Sequence, residues 1–378
     1  MARWLLPEGI SDVLPAEARR VEELRRALLD LYASYGYQLV IPPLIEYLDS
    51  LLTGTGRDLD LRTFKLVDQL SGRQLGLRAD ITPQTARIDA HILNRSGVVR
   101  LCYAGSVLHT RPAHPLATRQ PIQVGAELYG HEGPAADAEV QELAVASLRR
   151  AGVERVLLDL GHTGIVRALL ADAPAAVAED ILEALAAKDM PTLREAAARA
   201  APATAAAVLT LTRLHGDASV IDEARRELPA TREIGRALDD LARLVEASRA
   251  DAVSVDLADL HGYRYYTGVN FAAYAAQVSS ALLRGGRYDD IGRAFGRARP
   301  ATGFSIDLRD LARLNHAATP AAILAPADGD RELARVVDEL RARGEVVVRQ
   351  LTPGESAPEA VDRVLRRIDG RWQIVALD

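Results

Sequence analysis

Apolar residues recur at helical spacing between 16 and 36. Val21, Leu24, Leu28, Leu31 and Tyr35 share one face, and Gly36 marks the stop. The period then shortens. YQLVIPPLIEY reads as a strand that ends at Pro42 and Pro43, because proline has no amide proton to give a ladder. TFKLVDQLSGRQLGLRADI reads as a hairpin turning at Ser71-Gly72. RLCYAGSVLHT and QPIQVGAELYG are two further strands, and the loop RPAHPLATR between them, with its two prolines, is expected to be mobile. A helix is expected from about Asp137 to Arg150, and RVLLDLGH follows as a strand.

From about 165 to 250 the texture changes to alanine, leucine and charge with little β-branched content, which predicts a helical insert. Sheet texture returns at VSVDLADLHGYRYYTGVNFAAY and ALLRGGRYDDIG. Beyond Ala317–Pro320 the pattern alternates: AAILAPA as strand, RELARVVDELRARG as helix, EVVVRQL as strand, a helix near APEAVDRVLRRI, and WQIVAL as strand. That alternation predicts a small α/β domain with a mostly parallel sheet. The expected division is 1–165 with 250–316 as one core, 166–249 as the insert, and 317–378 as the small domain.

Composition narrows the function classes. The 378 residues are 48% hydrophobic and 26% charged, as in ordinary globular proteins. No run reaches the roughly 20 apolar residues of a membrane helix, and MARWLLPEGISDVLP lacks the apolar core of a signal peptide. The single cysteine, Cys102, excludes an intrachain disulfide and a Cys-rich zinc site, and reads as a buried strand residue. These features predict a cytoplasmic protein with no membrane partner. A net charge of −6 argues against a dedicated nucleic-acid binder. No phosphate-cradling loop ending in Gly-Lys-Ser/Thr and no dinucleotide fingerprint occurs, and the eight histidines show no metal-ligand spacing, so neither cofactor nor metal is expected.

Several segments, in order, resemble histidyl-tRNA synthetases: LPEGISDVLP, then YQLVIPPLIEY as the first class II motif and LGLRADITPQTAR as the amino-acid loop. YAGSVLHTRP to QVGAELYG follows as the second motif, HGYRYYTGVNF as the histidine signature, and RGGRYDDIG to TGFSIDL as the run into the third. The resemblance implies an α+β class II synthetase-like fold, an antiparallel six-stranded sheet flanked by helices, that dimerises through the first motif around Pro43.

Forming an adenylate builds charge on phosphate oxygens and needs fixed guanidinium groups to stabilise it. By the resemblance, the three arginine positions of those enzymes hold His109, His261 and Asp310 here. The following glutamate is replaced by Arg111, and the end of the third motif reads Asp307-Leu308-Arg309-Asp310. A neutral imidazole offers no bidentate fork and an aspartate repels phosphate, so no catalytic residue is expected. The amino-acid side differs. Asp80 and Thr82 match the histidine loop, Gln123 and Glu127 match the pair on the following strand, and Tyr265 and Tyr266 match the signature tyrosines. Carboxylates suit an α-ammonium and aromatic polar groups suit an imidazole, so these six are the candidate histidine-binding residues. Arg284, Arg287, Arg111 and Arg119 read as solvated surface arginines, with a contact to a partner or an anion as the alternative.

Residues 320–378 carry 11 acidic and 9 basic side chains, unlike a domain that grips tRNA. A synthetase-like chain without catalytic arginines and with a short acidic tail resembles the regulatory-subunit family of ATP phosphoribosyltransferase. The resemblance implies a short-form catalytic subunit as partner in a hetero-octamer, self-association as a dimer, and L-histidine as effector. A working histidyl-tRNA synthetase and a free-standing histidine sensor are the alternatives.

Overall fold

The computed structural model describes residues 4–54, 57–112, 117–260, 262–276, 278, 280–314, 321–358 and 360–377. His261 and part of the proline loop (113–116), with the mobility expected there, therefore lie outside the described residues. The chain divides into two compact units, Met1–Asn315 and His316–Asp378.

The larger unit opens with the helix Pro15–Ser34, whose proline occupies the first turn, where its missing amide costs nothing. Its inner face is Val21, Leu24, Leu28 and Tyr32, while Leu31 and Tyr35 sit half-buried at the edge. Gly36 ends it at φ +83°, a backbone conformation that favours glycine. Strands follow in order: β1 (Gln38–Leu39), β2 (Ile45–Tyr47), β3 (Phe64–Val67), β4 (Gln74–Leu77), β5 (Val99–Ser106), β6 (Ile122–Tyr129), β7 (Val156–His162), β8 (His215–Gly216), β9 (Ala252–Asp256), β10 (Val269–Ala275), β11 (Leu283–Arg287) and β12 (Ala301–Asp307). The Pro42-Pro43 step divides the first strand segment into β1 and β2, which join different sheets.

The large sheet has the order β1-β5-β6-β12-β11-β10-β7-β9-β8. From β5 to β7 every neighbour is antiparallel, giving the six-stranded antiparallel core of the class II synthetase-like fold. β1 adds to one edge in parallel to β5, and β9 to the other in parallel to β7. A three-stranded sheet, β2-β4-β3, carries the hairpin read from the sequence.

Because strand side chains alternate, the large sheet has two distinct faces. β6 sends Val124, Ala126 and Leu128 into the main core with Cys102, Phe304 and Phe271. The helices Pro15–Ser34 and Pro134–Arg150 cover that side with Leu24, Leu28, Val140, Leu143 and Leu148. The helices between 175 and 247 continue this core through Ile181, Leu193, Val208, Ile221, Leu238 and Leu241. The opposite face carries Gln123, Gly125 and Glu127.

The smaller unit begins with β13 (Ala322–Ala325), the helix Arg331–Ala342 and β14 (Val346–Arg349), parallel to β13. The helix expected near APEAVDRVLRRI is instead a strand, β15 (Val361–Ile368), paired antiparallel with β16 (Arg371–Ala376). Val361, Val364, Leu365 and Ile368 fit a helical period. The deciding signal is Asp369-Gly370, where both residues have positive φ (50° and 78°) between the paired Ile368 and Arg371. That is the two-residue turn that matches strand twist and closes a hairpin.

Candidate functional site

The second face of the large sheet, which carries Gln123, Gly125 and Glu127, has a floor of glycine. Directly opposed residues of an antiparallel pair point to the same side. Tyr103 opposes Gly125, Glu127 opposes Gly303, Ser305 opposes Arg284, and Gly286 opposes Gly303. A Cβ on Gly303 would lie 1.6 Å from a Glu127 carboxylate oxygen, and one on Gly125 would lie 2.5 Å from the Tyr103 hydroxyl. One on Gly286 would lie 2.8 Å from the Tyr266 ring. The missing side chains leave room for these three groups to lie across the sheet, below a cleft of about 600 Å³.

Glu127 is 1% exposed and accepts hydrogen bonds from Tyr103 (3.0 Å) and Tyr288. Burial pushes its carboxyl up to about 8, although the two tyrosines and Thr82 pull the other way. Burial also holds both tyrosine hydroxyls well above their usual range, so they remain donors. Thr82 Oγ1 is 3.0 Å from the Tyr103 hydroxyl. Asp80 Oδ1 accepts from the Thr82 amide (3.1 Å) and from Gln123 Nε2 (2.8 Å), and Gln123 Oε1 accepts from the Ile81 amide (2.9 Å).

Each wall is pinned from behind. Arg78, two residues before Asp80, donates to the Pro42 carbonyl (2.7 Å) and the Ser106 carbonyl (2.9 Å), which fixes the strand entering the loop. Arg167 donates to the carbonyls of Tyr263 (2.9 Å) and Tyr266 (2.8 Å), and Thr163 to that of Gly268 (3.1 Å). Those bonds hold the tyrosine loop over the sheet. Tyr265 meets Tyr288 at 4.9 Å between ring centroids, and its buried hydroxyl has no hydrogen-bond partner among the described residues.

Of the six candidate residues, Asp80, Thr82, Glu127, Tyr265 and Tyr266 line this one cleft. Gln123 stands behind it and orients Asp80. Tyr103 and Tyr288 are not among the six candidates, yet they form the cage around Glu127. Their only sequence signal is phase: Tyr103 is two residues from Leu101, on the opposite face from Cys102.

Of the three positions that the resemblance aligns with catalytic arginines, the structure describes two, and they differ. His109 is buried and does not line the cleft. Its neutral ring donates from Nε2 to the Ala79 carbonyl (3.0 Å) and accepts at Nδ1 from Arg62 (3.3 Å), and Arg62 does line the cleft. Burial, with Arg62 adjacent, holds this imidazole down at about 4. Asp310 lies on the helix Leu308–Leu314, paired with Arg313 at 3.4 Å and away from the cleft. His261 lies outside the described residues.

The surface reading of two arginines is corrected. Arg287 is buried, with Nη2 2.9 Å from Asp137 and a further bond to the His131 carbonyl (3.1 Å). Arg119 bonds the His109 carbonyl (3.0 Å) and the Glu8 carbonyl (3.0 Å), strapping the N-terminal segment down. Arg111 is exposed and Arg284 is half-buried in the cleft wall. Arg309, beside Asp310, is buried against Glu17 and Ser11 at 3.1 Å each. Among the described residues, no group of three His, Cys, Asp or Glu side chains is placed to hold a metal. No described helix is long and apolar enough to cross a membrane.

A family model described as histidyl-tRNA synthetase matches residues 9–311. One described as ATP phosphoribosyltransferase subunit HisZ C-terminal domain matches residues 320–375. An ATP phosphoribosyltransferase regulatory subunit from Ralstonia pickettii (strain 12J) is 57% identical over 374 residues, spanning 98% of this chain and 97% of that protein. The chain belongs to the ATP phosphoribosyltransferase regulatory subunit family. A relative of the same name from Cupriavidus necator is 56% identical over 378 residues, spanning 98% of each chain. A solved structure from Bacillus halodurans, described as an ATP phosphoribosyltransferase regulatory subunit/histidyl-tRNA synthetase, matches with TM-score 0.85 and 29% identity over 96% of this chain and 97% of that one. The histidyl-tRNA synthetase of Nostoc sp. PCC 7120 shares the fold at TM-score 0.79 and 18% identity, over 100% of this chain and 97% of that one. Membership of a regulatory-subunit family accords with a non-catalytic role for this family member.

Two histidines give the folded chain an acid limit. Burial depresses both His109 and His162 to about 4 from 6.5. His162 accepts from the Gly164 amide at 3.1 Å and so caps the helix Thr163–Leu169 as a neutral ring. The folded state binds fewer protons than the unfolded chain between those values. Stability is therefore whole above pH 6.5 and is lost as pH falls toward 4, by up to about 3 kcal/mol for each histidine. His162→Asn, which keeps an acceptor at the cap, is expected to flatten this slope in denaturant titrations at pH 4.5 to 7. An unchanged slope would remove His162 as a source.

Proposed function

We propose that this chain is the non-catalytic regulatory subunit of an ATP phosphoribosyltransferase complex in the first step of L-histidine biosynthesis, and that its cleft binds L-histidine as the feedback effector. The observation that carries the reading is the pairing of an intact acidic and aromatic cage with absent catalytic arginines. Glu127 lies under Tyr103 and Tyr288 beside Asp80 and Thr82, while His109 is turned into the protein and Asp310 lies off the cleft. A carboxylate held neutral by burial is costly to ionise, and a ligand ammonium or imidazolium offsets that cost.

Phosphoribosyl transfer to ATP takes place in the partner, a short-form catalytic subunit, in a cytoplasmic hetero-octamer. Self-association as a dimer uses the first-motif segment. Leu39, Ile41, Leu44 and Ile45 support this, each 41–82% exposed around the Pro42-Pro43 step. Histidine in the cleft biases the catalytic subunit toward its less active state, and a coupling of about 1–3 kcal/mol suffices.

The test is ATP phosphoribosyltransferase activity of a short-form catalytic subunit, with and without this chain, across a histidine titration. The chain is expected to raise the rate and to confer histidine inhibition, with no histidine-dependent pyrophosphate exchange by the chain alone. An unchanged rate with no complex formed, or exchange activity in the isolated chain, overturns the reading.

A further inference from the structure

We propose that Arg284, with Ser305 beside it, is the carboxylate anchor of the cleft and makes the effector site specific for a free amino acid. The inference rests on the histidine reading given above.

The cleft has an acidic end formed by Asp80 and Glu127 and three arginines on its lining: Arg62, Arg264 and Arg284. Two of the three are engaged. Arg62 donates to His109, and Arg264 pairs with Glu179 and Glu183 on the helix Ala175–Ala186. The Arg284 side chain makes no hydrogen bond or ion pair among the described residues, although it is half-buried in a cleft whose lining it shares with Tyr266. Its guanidinium has five N–H donors and no acceptor for them among the described residues. A half-buried cation left unpaired is costly, and a bound anion is the direct remedy.

The neighbouring strand supplies a second donor. Ser305 directly opposes Arg284 across β11 and β12, lines the same cleft, and its hydroxyl makes no hydrogen bond among the described residues. A planar guanidinium fork beside a free hydroxyl matches the two oxygens of a carboxylate.

The spacing suits an amino acid. Glu127 opposes Gly303, and Ser305 opposes Arg284, so Arg284 stands two strands and two residues away from Glu127. That separation is about 10 Å across the strands and about 7 Å along them. The long arginine side chain spans part of it and leaves a gap of amino-acid size between opposite charges. An α-amino acid carries its ammonium and carboxylate on one carbon. It fills such a gap with the ammonium toward the acids and the carboxylate toward Arg284. Glycine at 286 and 303 keeps the floor between them open.

The experiment is calorimetric titration of the full-length chain with L-histidine and with L-histidinol, which has an alcohol in place of the carboxylate. The wild type is expected to prefer histidine by about 10- to 100-fold, the range for a charged hydrogen-bond pair. Arg284→Gln is expected to weaken histidine by a similar factor and to leave histidinol within about twofold, so that the preference collapses. Arg284→Lys, which keeps the charge but not the fork, should retain part of it. Ser305→Ala changes less of the wall and is expected to give a smaller loss in the same direction, which tests the pair should Arg284→Gln not fold. If folded Arg284→Gln, or Ser305→Ala in its place, keeps the full wild-type preference, the anchor assignment fails while the histidine cleft stands. Absence of histidine binding to the wild type overturns both.

Discussion

An Asp137→Ala variant is expected to lose about 3–5 kcal/mol of stability, the range measured when one partner of a buried ion pair is removed. Asp137 sits in the first turn of the helix Pro134–Arg150, and its Oδ2 receives both Nε (3.1 Å) and Nη2 (2.9 Å) of Arg287 at the end of β11. Their side chains are 6% and 8% exposed. Removing the carboxylate leaves the guanidinium buried, with the His131 and Gly133 carbonyls and the more exposed Asp289 as its remaining partners among the described residues. The pair also ties the helix to the strand that carries Arg284, so the damage should reach the cleft. Urea unfolding followed by circular dichroism measures the loss. A change under about 1 kcal/mol would show that the remaining carbonyls and Asp289 satisfy Arg287 on their own.

Glu127→Gln is expected to separate stability from binding. The folded carboxyl titrates at about 8, against 4.5 as its ordinary value. The folded state therefore holds a proton that the unfolded chain releases. The stability involved is fully present below pH 4.5, is lost as pH rises, and is gone above about pH 8, a span worth at most about 4–5 kcal/mol. Glutamine keeps an acceptor oxygen for one of the two tyrosines, offers an amide N–H to the hydroxyl oxygen of the other, and cannot ionise. The variant should therefore gain on the wild type steadily from pH 5 to about 8 in thermal melts, with no further gain above that. On the reading proposed above, histidine binding at pH 7 should release a proton from wild-type Glu127, visible as a binding heat that depends on the buffer. Glutamine should abolish that release and weaken histidine by roughly 30-fold or more. Equal histidine affinity and equal proton release in both proteins would take Glu127 out of the site.

Elements with strong periodicity were legible in the sequence because burial selects one face. The helix Pro15–Ser34 and the β3–β4 hairpin are of this kind, and so are β5 and β6. The first strand of the β15–β16 hairpin reads as a helix because Val361, Val364, Leu365 and Ile368 satisfy a helical period, while the turn that overrides it occupies only Asp369 and Gly370. The resemblance to synthetases named five residues that the fold gathers into one cleft. It could not name Tyr103 or Tyr288, whose role depends on strand phase and on a carboxylate brought from another strand. Nor could it show that Arg62, 47 residues before His109, would enter the cleft bonded to that histidine. Arg287 and Arg119 look like surface arginines because exposure belongs to the tertiary structure, and the partners Asp137 and Glu8 are distant in the chain.

The glycine floor also limits how this cleft can change. At Gly125, Gly286 and Gly303 even a methyl group collides with a residue of the site, so one-step exploration of new specificities is closed along the base. Variation is confined to the rim, where positions such as 284 and 305 carry side chains that can be exchanged without dislodging Glu127. A lineage could retune what enters the cleft by altering its walls while the base stays invariant. Related chains should then differ in ligand preference through a handful of rim residues on an otherwise superimposable sheet.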